Sequence, residues 1–131
     1  MSDLEEVIIN DTVVSVVDLS DRHDSTFDLK LKGGSLLTVT TTDTQQCCEE
    51  YSVSPPSDIM DIVGKKIIKA TISCTEEETE DDWADISGTC FITLHTMKGE
   101  YVFNLYNTHN GYYSHYMSLA INGKLVLDGG V

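Results

Sequence analysis

Three short glycine-containing turns divide much of the chain into strand-length runs that are rich in β-branched residues. Gly33-Gly34, Lys98-Gly99 and Asn122-Gly123 each separate two such runs. Connections of this kind favour β-hairpins, and Asn-Gly is typical of a type I′ turn. Because consecutive hairpins place neighbouring strands side by side in opposite directions, the turns predict an antiparallel sheet.

The strand predictions follow from β-branched content and from the alternation of apolar and polar residues. Phe27, Leu29 and Leu31, for example, alternate with charged residues over one run, as expected of a strand with one buried face. On this basis the sequence predicts eight strands: Thr12–Leu19, Thr26–Lys32, Ser35–Thr42, Lys65–Cys74, Ile86–His95, Glu100–Tyr106, Tyr112–Ile121 and Lys124–Leu127.

One short helix is predicted between the third and fourth of these strands. Asp58–Val63 follows Ser57, which suits an N-cap, and precedes Gly64, which suits a helix end. Ser2–Val7 is a candidate for a further helical turn. Three residues of the helix are expected to face the core: Ile59, Ile62 and Val63. The predicted fold class is α+β and mostly β, an antiparallel sheet of sequential hairpins with one short helix packed on it, in a single domain over residues 1–131.

The charge of the chain narrows the classes of partner. The net charge is −14, from 22 acidic and 8 basic residues. A negative field repels nucleic acid and anionic membranes, so direct binding of either is not expected. The sequence has no apolar run of the ~20 residues that a membrane helix needs, and its acidic N-terminus is unlike a signal peptide. We therefore expect a soluble, cytoplasmic protein.

The four cysteines, Cys47, Cys48, Cys74 and Cys90, show no zinc-binding C-x-x-C spacing. In a reducing cytoplasm they are expected to be free thiols. Acidic neighbours of Cys47-Cys48 would raise a thiol pKa rather than lower it, which argues against a nucleophile and favours packing. No catalytic residue, metal or cofactor is predicted, and we expect the protein not to be an enzyme.

A run of carboxylates is expected to form an exposed loop over residues 76–82, because so many charges cannot be buried unpaired. It lacks the spacing of an EF-hand. The loop is either merely solvated or a docking surface for a basic protein. In the second case the interacting residues would be Glu76, Glu77, Glu78, Glu80, Asp81, Asp82 and Trp83.

A second loop is predicted over Asn107–Gly111, directly before Tyr112 and Tyr113. Its simplest interpretation is a hairpin turn, since Asn-Gly supplies positive φ. Tyr rings and Asn amides can also stack on a base and read its edge, or form a protein interface. Lys65 and Lys66, with the N–H groups at the start of the predicted helix, offer a phosphate site.

Three motifs in this order resemble a family of small proteins from tailed bacteriophages. They are Cys47-Cys48-Glu49 after Asp43, the segment D-I-V-G-K-K-I at 61–67, and H-N-G-Y-Y-S at 109–114. The resemblance covers roughly residues 38–118. The chain departs from the family pattern at Gln45-Gln46, where an acidic residue is usual, and at His109, where the family has Ser.

The sequence is also similar to phage sponge proteins that sequester the cyclic ADP-ribose signals of Thoeris immunity. This resemblance implies a non-enzymatic counter-defence protein of the infected bacterial host's cytoplasm, a homo-oligomer that buries an intact nucleotide at subunit boundaries. The ligand-binding residues expected from it are Tyr112 and Tyr113 for stacking, Asn107 and Asn110 for hydrogen bonds, and Lys65 or Lys66 for phosphate. The alternatives are an acidic inhibitor that binds a basic host defence protein, with mimicry of nucleic acid as one form of it, and a phage structural or assembly accessory protein.

Overall fold

The computed structural model describes residues 3–20, 24–42, 50–54, 56, 58–78, 86–109 and 116–130. These residues form one sheet of nine strands in the order β4-β7-β6-β5-β1-β2-β3-β8-β9, and every neighbouring pair is antiparallel. The strands are β1 Asp3–Asp18, β2 Asp24–Leu31, β3 Leu36–Thr42, β4 Glu50–Ser54, β5 Lys66–Glu78, β6 Ile86–Thr96, β7 Gly99–His109, β8 Tyr116–Ile121 and β9 Lys124–Gly130.

The long central strand β1 changes the direction of the sheet. Its first part pairs with β5 and its second part with β2, and the register shifts between Ile8 and Asp11. Asn10 in this interval has a φ of 57°, a left-handed conformation that Asn tolerates better than most residues. Because bulges bend a strand, β1 divides the sheet into a first arm (β5, β6, β7, β4) and a second arm (β2, β3, β8, β9).

The core lies between the two arms. The rings of Phe27 on β2 and Phe103 on β7 have centroids 5.6 Å apart, which joins the two arms across the core. Burying a side chain of this kind contributes about 1.5–3 kcal/mol relative to exposure. Alternate residues of both arms supply the fully buried side chains, including Leu29, Leu37, Ile67, Ile92, Leu94, Leu105, Met117, Leu119 and Leu127.

The predicted helix is wrong in kind. In its place the described residues form a 3-10 turn at Ile59–Ile62, whose N-cap Asp58 makes no side-chain capping bond, and Ser57 lies outside the described residues. Ile59 and Ile62 are buried, as predicted, but Val63 is 43% exposed. A 3-10 turn has three residues per turn, so positions 59 and 62 share a face, whereas Val63 already has an extended backbone.

Three predicted boundaries are also wrong, because strands continue through polar residues. Residues 3–7 lie in β1 rather than in a helical turn, β5 continues to Glu78, and β7 continues to His109. A strand at a protein surface pairs its backbone groups while its side chains can face water, so a run of carboxylates does not end a strand by itself. β4 was not predicted. No described helix is long and apolar enough to cross a membrane.

The expectation of free thiols is wrong for two of the four cysteines. Cys74 on β5 and Cys90 on β6 form a disulfide, and their Cα atoms are 4.1 Å apart. The cause is the register of the β5–β6 hairpin, which places these two residues directly opposite each other. Cys47 and Cys48 lie outside the described residues.

Candidate functional site

Lysines collect at one end of the sheet, which we call the hairpin end because the β2–β3, β6–β7 and β8–β9 turns lie there with the start of β5. The backbone of β1 holds two of these segments together. Lys32 N donates to Thr12 O at 2.8 Å, and Val13 N donates to Lys65 O at 3.0 Å. Six lysines lie in or beside these segments: Lys30, Lys32, Lys65, Lys66, Lys98 and Lys124.

Carboxylate residues collect at the opposite end of the strands, which we call the acidic end. Glu76, Glu77 and Glu78 close β5, and Glu50 opens β4 in register with Thr108 of β7. Glu5 and Asp128 line one cavity at this end. Among the described residues, lysines therefore outnumber carboxylates at the hairpin end, where Asp11, Asp58, Asp61 and Glu100 also lie, and carboxylates predominate at the acidic end.

Lys65 is a cation of the hairpin end whose position is fixed by a buried partner. Its Nζ donates to the Tyr101 hydroxyl at 2.6 Å and lies 5.3 Å from the centroid of the same ring. Tyr101 is only 4% exposed, so the partner is fixed by the core. The hydrogen bond to Tyr101 raises the pKa of Lys65, with smaller contributions from Tyr101 itself and from Asp61 and Asp58. Lys65 is therefore a positioned, permanently charged group at neutral pH.

Lys66, the other lysine of the predicted phosphate site, is exposed to solvent. Lys69, three residues further into β5, has its Nζ 3.3 Å from Glu6 Oε2. The part of the phosphate site that was assigned to a helix N-terminus is not supported, because a four-residue 3-10 turn has almost no dipole and it begins at the carboxylate residue Asp58.

The predicted ligand residues do not come together within one chain. Asn107 lies in β7, opposite Tyr51 of β4 and Gly88 of β6. It lies six positions after Tyr101 in β7, a distance of about 20 Å along the strand. Lys65 and Asn107 thus belong to opposite ends of the sheet, too far apart for one small nucleotide. Asn110, Tyr112 and Tyr113 lie outside the described residues.

The alternative, acidic surface comes close to Asn107 instead. Glu76 is opposite Gly88, and Gly88 is opposite Asn107, so these three residues form one row across β5, β6 and β7. Two strand spacings, about 10 Å, separate the first from the last. Glu80, Asp81, Asp82 and Trp83 lie outside the described residues.

A hydrogen-bonded chain of three side chains on the first arm was not foreseen from the sequence. Thr71 Oγ1 and His95 Nε2 are 2.9 Å apart, and His95 Nδ1 and Glu100 Oε1 are 3.1 Å apart. This order of hydroxyl, imidazole and carboxylate is that of a hydrolase triad. Thr71, however, lies inside β5 between β1 and β6, where the ladder uses the neighbouring N–H groups that an oxyanion would need. We interpret these hydrogen bonds as structural contacts that link the side chains of β5, β6 and β7.

The Cys74–Cys90 disulfide and the Thr71–His95 contact can be inferred from the sequence once β5 and β6 are known to form a hairpin. Cys74 and Cys90 are equidistant from residue 82, as are Thr71 and Thr93, two positions from His95. A symmetric hairpin therefore predicts both the disulfide and the neighbourhood of Thr71. Tyr101 had no comparable signal, because its contact with Lys65 joins β7 to the residue before β5. Among the described residues, no three His, Cys, Asp or Glu side chains are grouped to hold a metal ion.

The fold defines the chain as a small, mostly β protein built on one antiparallel sheet. A family model described as a domain of unknown function, DUF7448, matches residues 6–119. The chain therefore belongs to this family, and the match includes all three motifs described above. No curated protein and no solved structure matches the chain.

Proposed function

We propose that this protein is a non-enzymatic phage counter-defence protein that binds and sequesters a small cyclic nucleotide of the cyclic ADP-ribose type. The observation that carries the proposal is the Lys65–Tyr101 pair, a cation held at 2.6 Å by a buried aromatic residue, with the exposed Lys66 beside it. Such a pair offers a fixed charge to a phosphate. The phage part of the proposal comes from the resemblance of the three motifs, since the family that matches residues 6–119 is itself of unknown function.

Assembly is part of the proposal. Because about 20 Å of β7 separates Tyr101 from Asn107, one nucleotide can contact Lys65 and Asn107 only if they come from different copies of the chain. A homo-oligomer that joins the hairpin end of one copy to the acidic end of another, where Asn107 lies, meets this requirement. The lysines of the hairpin end and the carboxylates of the acidic end attract each other across such a contact.

Calorimetric titration and thermal shifts with cyclic ADP-ribose isomers and cyclic di- and trinucleotides test the proposal. Wild-type protein should bind one of these ligands stoichiometrically and melt at a higher temperature with it. Lys65→Met, which removes the charge but keeps an apolar stem, should weaken binding at least tenfold. Lys124→Met, an exposed lysine of another turn at the same end, is the matched control and should bind normally. Absence of binding by the wild type across the panel would refute the proposal.

The acidic end favours a second candidate function, an inhibitor that docks on a basic host protein. Its support is the position of Glu76, Glu77 and Glu78 at the end of β5, in rows with β6, β7 and Glu50 of β4. Long-range attraction of this kind is screened by salt. The triple change Glu76→Gln, Glu77→Gln and Glu78→Gln should abolish salt-sensitive capture of a basic partner, whereas Lys65→Met should leave that capture unchanged. Partner capture that survives the triple change would contradict this assignment of the acidic end.

A further inference from the structure

The Cys74–Cys90 disulfide lies under the last residues of β9. A Cβ atom added to Gly129 would lie 2.6 Å from Cys74 Sγ and 3.8 Å from Cys90 Sγ. Only a glycine leaves room for the Cys74 sulfur at this point, because real Cβ atoms essentially never approach within 3.0 Å of another heavy atom. The C-terminal strand of the second arm is therefore packed directly on the disulfide of the first arm.

The two sulfurs differ in access. Cys90 is fully buried, whereas Cys74 is partly exposed. A cavity of about 190 Å³ opens beside it and is lined by Glu5, Ile72, Cys74, Asp128, Gly129 and Gly130. A small thiol that enters this cavity meets the Cys74 sulfur and two carboxylate side chains. None of the lining residues carries a positive charge.

We propose that the Cys74–Cys90 disulfide is a redox-sensitive site that exchanges with small thiols through this cavity, and that Glu5 and Asp128 select against anionic ones. A thiolate attacks Cys74 Sγ, forms a mixed disulfide with it and releases the Cys90 thiolate, which takes a proton. A second thiol then attacks the sulfur of the bound thiol and releases Cys74. Two external thiols are oxidised to one disulfide, and the protein disulfide is reduced to two thiols.

Reduction has a structural consequence for β9. Two thiols cannot approach as closely as two bonded sulfurs, and Gly129 packs so closely that even an added Cβ atom would lie 2.6 Å from Cys74 Sγ. The Cys74 side chain must therefore move towards the cavity or displace residues 128–130. The site links the redox state of the surrounding thiol pool to the position of the C-terminal strand, and this inference does not depend on the proposed function.

The test measures reduction of the native protein by three thiols whose thiolates carry different charges: cysteamine, 2-mercaptoethanol and 3-mercaptopropionate. Alkylation and peptide mass spectrometry follow Cys74 and Cys90 individually. Each rate is divided by the rate of the same thiol with bis(2-hydroxyethyl) disulfide, which removes differences in thiol pKa and nucleophilicity. At low salt the normalised rate should fall in the order given, by about tenfold or more between cysteamine and 3-mercaptopropionate.

Two charge-matched variants separate the cavity from the net charge of the protein. Glu5→Gln with Asp128→Asn should bring the three normalised rates together. Asp58→Asn with Glu100→Gln, which removes two charges at the hairpin end, should leave the order unchanged. Free Cys74 and Cys90 thiols in aerobically purified protein, reduction that requires denaturant, or equal loss of selectivity in both variants would each overturn the proposal.

Discussion

Lys65 shows how much of a single residue's surroundings the sequence predicts. The sequence predicts it as a phosphate ligand from a local cluster of lysines, and the structure adds the partner that fixes it. That partner, Tyr101, lies 36 residues further along the chain. A contact of this length depends on the sheet order and could not be predicted from the sequence around either residue.

The Tyr101→Phe change tests this pair, because it removes the hydroxyl and keeps the ring. Lys65 has its pKa raised in the folded protein by the Tyr101 hydroxyl. A raised lysine pKa stabilises the fold below the unfolded value of about 10.4, and this contribution is lost as the pH rises through the folded value. NMR titration of the Lys65 Cε group should show a lower midpoint in the variant than in the wild type, and equal midpoints would contradict the assigned cause.

The structure confirms the turn that the sequence predicts between β8 and β9. Asn122 and Gly123 have φ of 52° and 81°, as a type I′ turn requires. Asn122 Oδ1 also accepts a hydrogen bond from Leu36 N at 2.9 Å, a link to β3 that no local pattern indicates. Asn122→Ala should lower the free energy of unfolding by about 1–3 kcal/mol, from the left-handed backbone and the lost bond. Urea unfolding measures this, with Ser118→Ala in β8 as a control for a change within the same hairpin; equal stabilities of the two variants would contradict it.

The end of β9 is an element whose packing the sequence did not reveal. Gly129→Ala places a Cβ against Cys74 Sγ and 3.1 Å from Ile72 Cδ1. Overpacking of this kind costs about 1–3 kcal/mol. In a Cys74→Ala background the same change should cost clearly less, because the sulfur has gone. A double-mutant cycle in urea measures the coupling. A cost of Gly129→Ala that is the same in both backgrounds would show that the disulfide is not what β9 packs against.

The comparison of elements shows which signals carried the fold prediction. Turn residues and apolar alternation located eight of the strands, since both are local properties of the chain. The ends of β1, β5 and β7 were missed because acidic and amide residues were taken to end strands, whereas pairing with a neighbour decides where a strand ends. The same local signals predict a helix where the structure has a 3-10 turn, because a cap, a glycine and three apolar residues occur in both.

At the scale of the whole molecule, the bend of β1 and the direction of each strand collect the lysines at one end and many carboxylates at the other. The sequence gives the net charge of −14 but not this separation, which depends on the order of all nine strands. At physiological salt, charges beyond about 8 Å are largely screened. A partner therefore responds to the end that it meets and not to the net charge, so a negative protein can still bind an anionic nucleotide at its hairpin end.

Native mass spectrometry of the protein, with and without cyclic ADP-ribose isomers, measures ligand sequestration and assembly in one experiment. We expect an oligomer that gains intact ligand in proportion to its subunit boundaries, and a Lys65→Met oligomer that gains much less. A monomer, or an oligomer that binds none of these ligands while Lys65 and Tyr101 remain paired in solution, would refute sequestration at subunit boundaries.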